Sequence, residues 1–246
     1  MKRKSLALAA AGVVVACPLF LAGGTARASA PPVPLPPAGY HLSYSHNFTA
    51  SGLSGWNVWP GSTAPVKTGK DGVAVTVTKA DQTAEVVSNG AVVTPESFIQ
   101  ARAYLPAIKG QITNFPAFWT LSANYQALWN KHVKPGEIDL VEGLHGQACA
   151  HTHYAGQASG PAGVCAPKGT IAGWHTFSAL WRNNRVSFWY DSTYVGALPL
   201  PVSLASGNEL LLFQNRSYGS FCTECYGPPQ YPASAWLSWV KIWRKS

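Results

Sequence analysis

The sequence predicts an all-β domain, a sandwich or jelly roll of two antiparallel sheets, and its pattern of short strands indicates this fold class. Segments rich in β-branched and aromatic residues recur from residue 40 onward, separated by Gly, Pro, Asn and Ser. Residues 123–129 form the one stretch with a helical pattern, so crossover helices for parallel strands are missing from the pattern. The predicted strands cover residues 41–48, 73–78, 84–88, 98–105, 137–142, 174–181, 186–190, 209–213 and 235–243. Asn183-Asn184 predicts a tight hairpin turn between two of them.

The N-terminal 30 residues predict export. Lys2-Arg3-Lys4 precedes an almost wholly apolar run, residues 6–21, and small residues follow at 26–30. This order is typical of a cleaved secretory signal over residues 1–30, with cleavage after Ala28 or Ala30. We therefore expect a secreted, extracellular protein with no membrane association after cleavage. Lipidation at Cys17, within a sequence that loosely resembles a bacterial lipobox, is the alternative.

Residues 31–39 are proline-rich and predict a stiff extended tether, because proline supplies no backbone donor for a sheet. One domain is then expected over residues 40–246, long enough for a substantial core. The net charge of +8 falls to about +4 once Lys2, Arg3, Lys4 and Arg27 leave with the signal. The remaining basic residues are scattered, which argues against a nucleic-acid partner. A monomer is expected.

The cysteines predict disulfides. Removal of Cys17 leaves four, and an even number in an exported chain favours two disulfides with three possible connectivities. We favour Cys149–Cys165 and Cys222–Cys225, although the other connectivities stay open. A metal site built from Cys222-x-x-Cys225 with His151 and His153 is the competing interpretation.

Residues 137–142, Glu-Ile-Asp-Leu-Val-Glu, hold three of the ten acidic residues in the chain. Their alternation with apolar residues predicts a strand with one buried face. Glu137 and Asp139 share a face of a regular strand, and Glu142 lies on the opposite face. A β-bulge between Asp139 and Glu142 would bring all three carboxyls to one face, and bulges are common beside active sites. An edge strand with charges facing water is the alternative.

Three carboxyls this close cannot all ionise freely, so at least one proton should be retained near neutral pH. Glycoside hydrolysis requires this combination, with one carboxylate to attack and one protonated carboxyl to assist the leaving oxygen. After a bulge, Glu137 and Glu142 stand roughly 13 Å apart along the strand, and inclined side chains narrow this toward the ~5 Å of a retaining enzyme.

Ten tryptophans exceed what a core of this size requires, and flat sugar faces stack on indole rings. Trp119 and Trp129 precede the acidic strand and are predicted substrate contacts. Four others lie at strand spacing beside aliphatic residues and are predicted core residues: Trp174, Trp181, Trp239 and Trp243.

Residues 136–142 resemble the catalytic strand of glycoside hydrolase family 16, in the bulged E-x-D-x-x-E form of laminarinase-like members. Further similar segments follow the family order at residues 101–106, 116–121, 153–154, 173–177, 189–191 and 239–243. The resemblance implies a concanavalin-like jelly roll and a secreted, endo-acting, retaining β-glycanase. Its expected polysaccharide is β-1,3-glucan, followed by mixed β-1,3/1,4-glucan and algal galactans.

The working hypothesis assigns three catalytic roles. Glu137 attacks the anomeric carbon, Glu142 serves as acid and then base, and Asp139 orients Glu137 between them.

By the same resemblance, His153 hydrogen-bonds the carboxylates or the sugar from the adjacent strand, with His151 as the weaker candidate. Arg102 is expected to reach the sugar near the nucleophile.

The sequence departs from the family pattern at two places. Ser238 stands where many members carry a calcium-binding Asp, so a structural calcium is in doubt and no metal or cofactor is expected. Trp129 lies eight residues before Glu137, which places an insertion at residues 130–135. A transglycosylase on the same scaffold, a non-catalytic lectin-like jelly roll and a structural wall protein are the alternative functions.

Overall fold

Strands dominate the computed structural model, which describes residues 34–157, 163–202, 208–219 and 225–246. The strands are β1 (Tyr40–Asn47), β2 (Trp56–Val58), β3 (Val66–Gly69), β4 (Gly72–Val77), β5 (Thr83–Ser88), β6 (Ser97–Leu105), β7 (Ala107–Ile108), β8 (Gln111–Ile112), β9 (Phe115–Ser122), β10 (Glu137–Leu144), β11 (Gln147–His153), β12 (Val164–Cys165), β13 (Gly173–Arg182), β14 (Arg185–Tyr190), β15 (Thr193–Pro199), β16 (Glu209–Arg216) and β17 (Ala233–Lys245). Two short helices, α1 (Phe48–Ser51) and α2 (Tyr125–Trp129), complete the described elements.

Two large antiparallel sheets confirm the predicted sandwich. The front sheet has the order β12-β11-β10-β9-β16-β5-β2. The back sheet has the order β15-β14-β13-β6-β17-β4-β3, and β1 also pairs with β17. Strands β7 and β8 form a separate two-stranded ribbon. Each large sheet combines consecutive strands, such as β9 to β12 and β13 to β15, with neighbours from distant parts of the chain, such as β16 beside β9 and β17 beside β6, as in a jelly roll.

The core lies between the two sheets and is filled by the inward residues of each strand. Alternation along a strand sends every second side chain inward. The resulting cluster draws fully buried residues from both sheets, including Ile99, Ala101, Ala103, Ile138, Leu140, Phe177, Ala179, Trp181, Val240 and Ile242. The alternate residues of each strand lie on the outer face of its sheet, outside this core.

Several predicted local features are confirmed. Asn183 and Asn184 both adopt positive φ, 53° and 58°, in the hairpin that pairs Arg182 with Arg185. Helix α2 lies within the predicted helical stretch. Cys149 and Cys165 form a disulfide, as favoured.

The tryptophan expectation was right for one residue of four. Trp181 is fully buried. Trp174, Trp239 and Trp243 are partly exposed on the outer face of the back sheet, because their neighbours in sequence occupy the inward positions.

The N-terminal expectations fall mostly outside the described residues, which begin at Pro34. From Pro34 onward the proline-rich segment contacts the back sheet, where Gln100 Nε2 donates to the Pro34 carbonyl at 2.7 Å. Cys222 also lies outside the described residues, so its pairing stays a prediction. Among the described helices, none has the length and apolar character needed to cross a membrane.

Candidate active site

The acidic strand β10 carries the predicted bulge. Against β11, Asp139 stands opposite His151 and Glu142 opposite Cys149, so two residues of β10 face the single residue Ala150. The pairing with β9 shifts at the same place. The extra residue turns Glu142 to the face of Glu137 and Asp139, and all three side chains line one groove of about 260 Å³.

Hydroxyl groups of β9 hold the beginning of β10 in place. Thr120 Oγ1 accepts from the Ile138 N–H at 2.9 Å. Ser122 Oγ accepts from the Gly136 N–H at 2.8 Å and donates to the Gly136 carbonyl at 3.1 Å. The Thr120 hydroxyl in turn donates to the buried Glu209 carboxylate. These bonds fix the backbone on both sides of Glu137, ahead of the ladder to β9 that begins at Asp139.

Glu137 and Asp139 form a hydrogen-bonded carboxyl pair with raised pKa values. Burial, followed by the charge of Glu142, raises the pKa of Glu137 to about 7, although the hydrogen bond from Asp139 opposes this. Burial also raises the pKa of Asp139 well above its usual range, and the charges of Glu142 and Glu137 add to the effect. Asp139 is therefore the member that keeps its proton at neutral pH, and its O–H donates a hydrogen bond to the Glu137 carboxylate.

His153 lies across from Glu137, as predicted from its strand position. Its Nε2 is 3.4 Å from Asp139 Oδ2, but that oxygen makes no hydrogen bond within the described part of the chain. Its Nδ1 accepts from the Lys134 ammonium at 2.8 Å. Burial, reinforced by the charge of Lys134, lowers the pKa of His153 to about 4. His153 is thus a neutral imidazole beside a protonated carboxyl rather than a member of an ion pair.

His151 makes the shorter contact with a carboxyl, although the sequence favoured His153. Its Nδ1 lies 2.6 Å from Glu142 Oε2, and both side chains are largely buried. The bulge explains the reversal, since it moves Glu142 along the strand toward His151.

Both predicted tryptophans line the groove with the carboxyls. Trp119 pairs with Asp139 across the β9–β10 ladder and is partly exposed. Trp129 lies on α2, is 51% exposed, and packs edge-on against Tyr125 with ring centroids 4.8 Å apart.

Arg102 does not reach this groove, and its predicted place there requires correction. It lies on β6 of the back sheet, where its guanidinium sits 5.6 Å from the centre of the Trp174 ring. The inward positions of β6 are taken by Ala101 and Ala103, so Arg102 faces away from the front sheet.

The groove instead receives Arg216 and Gln214 from β16, and neither residue was predicted from the sequence. Arg216 Nη2 lies 3.7 Å from Glu85 Oε2. Burial raises the pKa of Glu85 to about 7, opposed by the charge of Arg216. The sequence signal for these residues was their spacing, because Gln214 and Arg216 occupy alternate positions of one strand and therefore share a face.

The carboxyl cluster is compact enough to be considered as a cation site. Potential ligand atoms of Glu137, Asp139 and His153 lie within 4.8 Å of one another. The proton held by Asp139 and the ammonium bonded to His153 suit a proton-sharing site better. The alternative metal site with Cys222 and Cys225 is also disfavoured, because His151 and His153 are engaged by Glu142 and Lys134.

No protein-family model matches the chain, and no curated protein matches it by sequence. Its structure is similar to the laminarinase from Flavobacterium sp. UMI-01, with 19% identity and a TM-score of 0.65, covering 83% of this chain and 100% of that one. It is also similar to the endo-1,3-β-glucanase from Streptomyces sioyaensis, with 15% identity and a TM-score of 0.64, covering 87% and 99%. The Crh5 transglycosylase is a third similar structure, with 18% identity and a TM-score of 0.61, covering 88% of each chain.

The resemblance to glycoside hydrolase family 16 is confirmed at the level of the fold: the chain has the two-sheet sandwich of a laminarinase and an endo-1,3-β-glucanase.

Proposed function

We propose that the chain is a secreted member of glycoside hydrolase family 16 that cuts β-glucan internally with retention of configuration. β-1,3-Glucan is the first expected substrate, and mixed β-1,3/1,4-glucan the second. The observation that carries the proposal is the bulge in β10, which places Glu137, Asp139 and Glu142 along one groove beside Trp119. The similarity to a laminarinase and an endo-1,3-β-glucanase supports the choice of polymer and the endo mode.

The first step forms a glycosyl-enzyme. In the reactive form Glu137 is ionised and Glu142 is protonated. The Glu137 carboxylate attacks the anomeric carbon while the glycosidic C–O bond breaks, and Glu142 transfers its proton to the leaving oxygen. Asp139 donates a hydrogen bond to Glu137 and holds the attacking oxygen in place.

The second step reverses the proton transfer. Glu142, now a carboxylate, takes a proton from water as the water oxygen attacks the anomeric carbon, and Glu137 leaves as a carboxylate. Neutral His153 and the charged Lys134 border the same cluster, where the positive charge of Lys134 favours ionised Glu137.

The test is a reducing-end assay on laminarin, mixed-linkage glucan, agarose and carrageenan, with NMR detection of the anomer formed first. The wild-type chain should release β-anomers from at least one polymer. Glu137→Gln should reduce turnover by several orders of magnitude and keep the wild-type melting temperature. Glu96→Gln, at a partly exposed carboxyl outside the groove, is the matched control and should remain fully active. Full activity of Glu137→Gln, or release of α-anomers, would refute the mechanism.

A transglycosylase is the second candidate, since the Crh5 transglycosylase shares the fold. It would use the same first step, after which an acceptor sugar replaces water. A labelled oligosaccharide acceptor distinguishes the two, because transfer produces labelled longer chains. Polymer binding by the wild-type chain without any new reducing ends or transfer product would instead favour the lectin-like alternative.

A further inference from the structure

His151 contacts Glu142, the proposed acid of the site. Among the described residues, this is the shortest contact between a histidine and any of the three carboxyls of β10. Its Nδ1 lies 2.6 Å from Glu142 Oε2, whereas His153 Nε2 lies 3.4 Å from Asp139 Oδ2. His151 is 8% exposed, so water competes little for this bond. A hydrogen bond to a carboxyl in such surroundings is stronger than its counterpart in water.

The imidazole of His151 is also held from its other side. A Cβ on Gly163 would lie 2.0 Å from His151 Nε2, so any larger residue at this position would collide with the ring. The Cys149–Cys165 disulfide joins β11 to β12 two residues from His151 and two residues from Gly163. The ring is therefore confined between Glu142 and a covalently anchored segment.

We propose that His151 is a positioning residue for the acid–base Glu142, which rests on the proposed function. It donates from Nδ1 to Oε2 and so leaves Oε1 as the oxygen that carries the transferable proton. The same bond holds Glu142 when it acts as a carboxylate base in the second step. His153 does not take this place, because its Nε2 lies nearest Asp139 and its Nδ1 accepts from Lys134.

The inference predicts a loss that depends on the leaving group. A sugar alkoxide needs a proton to depart, whereas 2,4-dinitrophenolate departs without one. General acid catalysis contributes about 10²- to 10⁴-fold, and misplacing the acid should forfeit part of this. For His151→Ala we expect kcat/KM on laminarin to fall about 10- to 100-fold, and kcat/KM on 2,4-dinitrophenyl β-laminaribioside to stay within about 3-fold.

Two further variants at these positions sharpen the test. His151→Asn keeps an N–H donor close to the position of Nδ1 and should recover most of the activity on laminarin. Gly163→Ala should reproduce the leaving-group-dependent loss, since the added Cβ displaces the ring without removing it.

The matched control is His175→Ala. His175 Nδ1 lies 2.7 Å from Asp191 Oδ2, so this variant removes a similar histidine–carboxyl bond outside the groove. It should keep the wild-type ratio of the two kcat/KM values.

An equal fall on both substrates in His151→Ala would indicate a general structural defect and overturn the inference, as would full activity on laminarin. Wild-type activity in Gly163→Ala would contradict the claim that this segment confines the ring. If the wild-type chain cleaves no polymer, the proposed function fails, and a crystal structure of His151→Ala still tests the inference. Displacement of the Glu142 carboxyl in that structure would support it, and an unchanged carboxyl would overturn it.

Discussion

Asp139 offers a decisive test of the electrostatics, because its protonation state sets the sign of a measurable shift. Glu137 must be ionised to attack, and its pKa is about 7, so kcat/KM should fall as the pH drops below this value. Asp139 is 2% exposed and keeps its proton, and its O–H donates a hydrogen bond to Glu137. Asp139→Ala removes that donor, and Asp139→Asn replaces it with an amide N–H donor of nearly equal size.

The magnitude follows from the strength of a hydrogen bond to a charged group, about 1.5–3 kcal/mol. Losing it should raise the pKa of Glu137 by about 1–2 units, since one unit corresponds to about 1.36 kcal/mol. The acidic limb of the kcat/KM profile should therefore move to higher pH by this amount in Asp139→Ala. In Asp139→Asn it should move by less than about 0.5 unit, because a donor remains.

The assay is the dependence of kcat/KM on pH from 4 to 9, on whichever polymer the wild-type chain cleaves best. Only the position of the limb matters, so a lower maximum rate in either variant is acceptable. If Asp139 were ionised, removing its negative charge would lower the pKa of Glu137 in both variants. A limb that moves to lower pH, or does not move in Asp139→Ala, would refute the assignment of the proton to Asp139.

Three further predictions concern stability and binding. Burial raises the pKa of Glu209 to about 7, despite the hydrogen bond from Thr120, so the folded state binds this proton more tightly than the unfolded state. The stabilisation from this protonated carboxyl is complete below about pH 4.5 and is lost as the pH rises through 7, a change of about 3 kcal/mol in the free energy of unfolding. Glu209→Gln should therefore flatten the fall in melting temperature between pH 5 and 8. An unchanged slope would contradict this. The disulfide joins residues 16 apart, so the double variant Cys149→Ala/Cys165→Ala should lose about 3 kcal/mol in urea unfolding, and reductant should destabilise the wild-type chain more than this variant. Trp129 is 51% exposed in the groove, so Trp129→Ala should raise KM by about 2- to 10-fold through lost stacking and leave the melting temperature unchanged; an unchanged KM would remove it from the substrate contacts.

The sequence predicted the fold class and the carboxyl row because both depend on local periodicity. On a regular strand, Glu142 lies on the opposite face from Glu137, so one extra residue must be inserted to bring both to the same face. The register shift between Asp139 and Glu142 provides this residue. The turn at Asn183-Asn184 likewise depends on residue types that tolerate positive φ. Such features are encoded within a few residues of one another.

The remainder of the site depends on which strands become neighbours, and local periodicity carries no information about this. Arg102 and Arg216 have the same chemistry, yet β6 belongs to the back sheet and β16 lies beside β9 in the front sheet. The preference for His153 over His151 was reversed for a related reason. A bulge changes the partner of every residue beyond it, and its effect on the neighbouring strand appears only when the register of both strands is known.

The same burial that prepares the groove for chemistry makes the front sheet sensitive to alkaline pH. Glu85, Glu137 and Glu209 all have pKa values raised to about 7, with burial as the largest cause in each case. Each therefore weakens the fold as the pH rises through neutrality. Glu137 lies in the groove, where this loss of stability accompanies the ionised state that catalysis requires. Glu209 lies behind it and anchors Thr120, whose hydroxyl holds the Ile138 N–H at the beginning of the catalytic strand. We expect Glu209→Gln to stabilise the domain above pH 7 and to lower kcat, because a Gln oxygen accepts more weakly from Thr120 than a carboxylate does. A gain in stability without any loss of activity would show that the strand needs no such anchor.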